Sequence, residues 1–106
     1  MIFYRGDTFL FAGPVSAKVN GVETTDLTDW TARSQIRTAD GTLVSELVVT
    51  WLARSPAALQ VESPDPTTDW PIGDAKIDVE FTTPAGKIVS TAPQTFKIGT
   101  DVTRGA

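Results

Sequence analysis

From residue 26 to residue 51 the chain reads DLTDWTARSQIRTADGTLVSELVVTW, and apolar and polar positions alternate along it. Trp30, Ala32, Ser34 and Ile36 fall on one side of an extended chain, and Thr31, Arg33, Gln35 and Arg37 on the other. Period-two alternation is the signature of a half-buried strand. The return stretch repeats it with Leu43, Leu47, Val49 and Trp51 on one face and Ser45 as its polar member. Between the two lies Thr38-Ala39-Asp40-Gly41, an Asp-Gly turn that suits a tight hairpin because glycine accepts positive φ.

The same period continues on both sides. Thr8 to Ala12 (TFLFA) is an apolar run of strand length, broken at Gly13-Pro14, where a proline that cannot donate marks an edge or a kink. Val15, Ala17 and Val19 are expected to continue that edge strand beyond the kink. Asn20-Gly21 is a turn pair, and Leu27 reads as an apolar anchor in a loop. Ala57, Leu59 and Val61 form another inward set. Residues 63–68 (SPDPTT) form a surface loop, and Thr67 to Trp70 are expected to make one helical turn. Asp74 to Thr82 shows the cleanest alternation, with Ala75, Ile77, Val79 and Phe81 inward. Thr83 to Gly86 turns the chain, Lys87 to Thr91 returns, Ala92-Pro93 is expected to kink it, and Gln94 to Ile98 follows. Gly99 to Ala106 is read as a polar tail.

These elements predict an all-β chain of about seven or eight strands with no helix beyond one turn. Each strand has one apolar face that needs covering, so an antiparallel β-sandwich is expected, with a small β-barrel as the runner-up. A length of 106 residues suits a single domain, residues 1–106.

Composition narrows the chemistry. There is no cysteine and no histidine, which removes disulfides, thiolate nucleophiles, the usual zinc ligands and the commonest general base. The net charge is −4 and the nine basic residues are scattered, so no nucleic-acid footprint is expected. No apolar run approaches the roughly 18 residues of a membrane-spanning helix. The N-terminus carries Arg5 and Asp7 and does not read as a signal peptide.

Carboxylate pairs occur at Asp26/Asp29, Asp65/Asp69, Asp74/Asp78 and Asp78/Glu80. They read as solvated outer faces and turn formers, without metal-ligand spacing. No catalytic residue, metal ligand or cofactor site is assigned. Trp30 and Trp51 fall on inward sets. Trp70, in a loop beside Pro71, is read two ways, as a plug in the end of the core or as the exposed tryptophan of the three. With Asp65 and Asp69 it forms the candidate interaction surface, and it would serve the alternative function of a carbohydrate-binding module. Arg5-Gly6-Asp7 is the tripeptide of adhesive loops, but here it precedes a strand. Sheet edges are the other expected contact surfaces, at the kinked first strand (Thr8 to Val19) and the last (Gln94 to Ile98).

Several stretches together resemble a known family. They are Arg5-Gly6-Asp7-Thr8, Asp26-Leu27-Thr28, Trp30 to Arg37, and Gly41 to Val44. Trp70-Pro71-x-Gly73, Lys76 to Thr82, Gly86 to Val89, and Asp101 to Arg104 follow in order. The set resembles small tailed-phage and prophage proteins related to the N-terminal domain of phage baseplate upper proteins. The resemblance implies an immunoglobulin-like sandwich that acts as a virion structural module without catalysis, either a tail or baseplate accessory or a head decoration. It also implies other virion proteins as partners, with room for a homo-oligomer. The implied location is the virion, after synthesis in a bacterial cytoplasm.

Overall fold

The computed structural model describes residues 1–91 and 93–100. The expected kink at Ala92 and residues 101–106, including the Asp101–Arg104 stretch, lie outside the described residues. Ten strands occur among them: β1 (Ile2–Arg5), β2 (Leu10–Pro14), β3 (Ala17–Val19), β4 (Val22–Thr24), β5 (Thr31–Thr38), β6 (Leu43–Arg54), β7 (Ala57–Glu62), β8 (Gly73–Thr82), β9 (Ile88–Ser90) and β10 (Gln94–Thr100). The all-β expectation holds. The strand number is higher than expected because β1 and the short β3–β4 pair are separate elements.

The main sheet runs in the order β1-β10-β8-β5-β6-β7-β2, with β9 beside β8, and β3–β4 form a second, two-stranded sheet. The main sheet curls toward a half-barrel. The twelve-residue β6 makes this possible. Its first part, through Leu47, pairs with β5, and its second part, from Val48, pairs with β7. One strand therefore belongs to both layers, and the inward faces of the layers meet over the core. Phe3, Phe9, Ile36, Leu47, Trp70, Phe96 and Ile98 fill one end; Leu27, Leu59 and Phe81 fill the other, flanked by half-buried Trp30 and Trp51. Ser34 is the polar member of an inward set, and its hydroxyl donates to the Asp78 carbonyl at 2.7 Å, which satisfies a buried polar group.

Three local expectations need correction. Beyond Pro14 the chain does not continue the edge strand: β3 leaves the main sheet and pairs with β4 across Asn20-Gly21, both at positive φ (51° and 80°). Thr67 to Trp70 make a single turn closed by Trp70 N–H on the Thr67 carbonyl at 3.1 Å, not a helical turn. The edge expected over Gln94 to Ile98 is cut short, because β1 lies parallel along Lys97–Thr100 and covers its last two residues.

The β5–β6 turn is closed by Gly41 N–H on the Thr38 carbonyl at 2.9 Å, with Gly41 at φ 96°. The Asp40 carboxylate accepts from the Thr38 hydroxyl and from Thr42 N–H. These bonds, the Thr38 hydroxyl first, hold the Asp40 carboxyl below the ordinary aspartate value. A depressed folded pKa makes this contribution to stability complete above the ordinary aspartate range, and it is lost as pH falls through the depressed value. In a carboxyl NMR titration Asp40 is therefore expected to titrate below a free aspartate. Thr38→Val is expected to move it upward; no movement would show that the hydroxyl does not set it.

Candidate functional site

The three residues of the expected interaction surface line one open cleft of about 580 Å³, between the 63–71 loop and the β5–β6 hairpin. Asp65 and Asp69 are exposed there. Trp70 takes the core-plug place and not the exposed one: it is only 6% exposed. Its ring centroid lies 5.3 Å from that of Phe3 and 5.4 Å from that of Phe9. Burial of a large ring among aromatic neighbours is favourable, and it leaves no open ring face for a sugar to stack on.

Arg5-Gly6-Asp7 is held against the same plug. Arg5 donates to the Trp70 carbonyl at 3.3 Å. Thr67, 3% exposed, accepts from Gly6 N–H and donates to the Asp7 carbonyl, both at 2.7 Å. A tripeptide fixed this way is not the free hairpin tip that an adhesive loop presents.

The carboxylate pairs do not converge on a reacting centre. Asp26 accepts from the Thr28 hydroxyl and amide, which lowers its pKa, the hydroxyl bond first. This is a local turn device. Asp74 pairs with exposed Lys97 at 3.0 Å. Asp78 and Glu80 stand opposite Gln35 and Arg33 in register. Arg33 also pairs with Glu46 at 2.9 Å, so this outer face of β5 and β8 is a lattice of mixed, solvated charges. Among the described residues no three carboxylates gather as a metal site.

The outer face of the other layer is different. In register across β6, β7 and β2, the first row is Val48, Glu62 and Leu10 and the second is Thr50, Gln60 and Ala12. The third is Ala53, Ala58 and Pro14, with Leu52 as the extra residue of a bulge opposite Ala58. Glu62 is the one charge in these rows. Leu10, Val48 and Leu52 are 43%, 48% and 54% exposed. A sheet face turned to water normally carries polar side chains; this one mixes exposed Leu10, Val48 and Leu52 with Glu62, Thr50 and Gln60.

This face ends at an open edge. β2 terminates the strand order and pairs on one side, with β7. The Phe9 carbonyl accepts from Ser63 N–H and Val15 N–H donates to the Ala57 carbonyl, each at 3.0 Å. Odd-numbered residues of this segment therefore turn their backbone groups toward β7. By alternation, the N–H and C=O of Leu10 and Ala12 face outward. The edge expected at Thr8 to Val19 is thus present, confined to β2. The apolar face was not legible as a face, because TFLFA has no polar member to mark which residues alternate outward.

No family model matches the chain, and no curated protein matches it either. Among solved structures it is similar to CopC from Methylosinus trichosporium OB3b, at 17% identity and a TM-score of 0.47, over 89% of this chain and 95% of that one. The phage baseplate resemblance is corrected: no family model and no curated protein bears it out, and the virion structural function, the virion partners and the virion location go with it. Among the described residues, the stretches that carried it are turns and alternating strands of a kind any small β-protein needs.

Proposed function

We propose that this chain is a non-catalytic binding module that takes an extended strand of a protein partner along β2. The observation that carries the reading is the pair of outward N–H and C=O groups at Leu10 and Ala12, continuous with the outer face of β2, β7 and β6, where Glu62 is the one charge in the rows. Strand addition at an open edge draws affinity from backbone hydrogen bonds, while alternate side chains give selectivity. Here those side chains would rest on Leu10, Ala12 and Val48 and avoid the charged β5–β8 face.

Catalysis has no comparable support. The chain lacks histidine and cysteine, and its placed carboxylates serve turns and surface pairs. Nothing is transferred from CopC: imidazole and thiolate metal ligands are absent and the single methionine is Met1.

The reading is tested by titrating isotope-labelled protein with a synthetic peptide of alternating Val and Thr. Amide shifts are expected at Leu10 and Ala12, with Arg33, Gln35 and Lys76 unmoved. Shifts confined to the β5–β8 face would overturn it.

A further inference from the structure

We propose that the strand received at β2 is β2 of a second copy of this chain, paired antiparallel about a two-fold axis at Phe11. This rests on the edge reading above and names its partner. In that register Leu10 stands opposite the partner's Ala12, and Ala12 opposite the partner's Leu10. Both residues present outward donors and acceptors, so the two pairs exchange about four backbone hydrogen bonds in all. Pro14, which has no N–H, falls opposite the partner's Thr8, beyond the paired core. An axis at Ala12 would instead set Leu10 against the partner's Pro14 and leave the Leu10 carbonyl without a donor.

Side chains agree with this register. Phe11 is 44% exposed, with its ring 4.9 Å from that of Phe9 on the inner side. The two-fold brings it against the partner's Phe11 at a non-hydrogen-bonded position, where side chains approach most closely. Residues 8–17 contain no charged side chain, so two copies of a chain of net charge −4 meet there without facing like charges. The outer faces join into one surface across six strands, whose rows carry one charge per copy, Glu62. An edge of five residues is small against the roughly 1,200 Å² of a standard interface, so the association is concentration dependent.

The chain has no cysteine, so an introduced thiol reports register directly. Phe11→Cys is expected to oxidise to a covalent dimer about ten-fold faster than Leu10→Cys or Ala12→Cys, because only position 11 meets its own copy within disulfide reach. Light scattering on the unaltered protein is expected to show its mass doubling as concentration rises. Ala12→Lys, an exposed change, is expected to keep it at one chain, with circular dichroism confirming that the variant folds. Faster cross-linking at Leu10→Cys or Ala12→Cys would overturn the register. A protein that stays one chain at every concentration, yet shows the peptide shifts at Leu10 and Ala12, would overturn the second copy and leave the edge reading standing. One chain with no peptide shifts would overturn both.

Discussion

Phe81→Ala lowers the unfolding free energy by about 3–5 kcal/mol, the range of a buried aromatic truncated in a core that cannot collapse. Phe81 has no exposed surface. In register it stands between Ala32 on β5 and Val89 on β9. The rings of Trp30 and Trp51 flank it, each 6.2 Å between centroids. Ala32, Val89 and Trp51 sit on strands held by backbone ladders and Trp30 directly precedes β5, so the space left by the ring stays largely open. A domain of this size is stable by about 5–15 kcal/mol, so the variant should stand near the edge of folding. Urea unfolding followed by tryptophan fluorescence measures the loss, and the emission of Trp30 and Trp51 should report the opened space in the native baseline. A loss below about 1 kcal/mol would mean that the ring is not enclosed as described.

Thr67→Val costs about 1–3 kcal/mol, although it preserves shape and adds no polar group. The Thr67 hydroxyl joins two segments about sixty residues apart, taking Gly6 N–H and giving to the Asp7 carbonyl. Valine leaves Gly6 N–H in a half-buried place without its acceptor, which is the costly form of losing a hydrogen bond. The loss should be local as well as global. Amide exchange at Gly6 is expected to rise first, and the Arg5 contact with the Trp70 carbonyl should loosen with it. Thr67→Ser, which keeps the hydroxyl, should recover most of the stability. Equal losses in Val and Ser would assign the effect to the methyl group's packing instead.

The sequence made the central architecture legible because its alternation is strict. Ser34 and Ile36, predicted inward beside each other's neighbours, are 1% and 0% exposed, and the Asp40-Gly41 turn closes as expected. Leu27, read as a loop anchor, is fully buried. The first strand was not legible: IFYR is short and ends on a charge, and its partner is β10, paired in parallel. No local pattern encodes a contact between segments so far apart in sequence. The choice between core and surface for Trp70 stayed open for a related reason. Its neighbours Phe3 and Phe9 lie more than sixty positions away, while its own surroundings, Asp69 and Pro71, look like surface. The phage resemblance failed on residues such as Gly6, Gly41 and Gly86, whose positive φ answers a geometric need shared by unrelated β-proteins.

The parallel seam between β1 and β10 has a kinetic consequence. It joins Ile2 to Lys97 and Arg5 to Thr100, positions 95 apart in sequence, so a very long segment must be drawn into a ring before its first bond forms. Closing so large a ring adds only about 0.6 kcal/mol for each doubling of its length, but that cost comes before any reward, which places docking of the N-terminal segment late on the folding route. In reverse, the same segment should peel away first, uncovering the flank of β10 and withdrawing Phe3 from the aromatic plug.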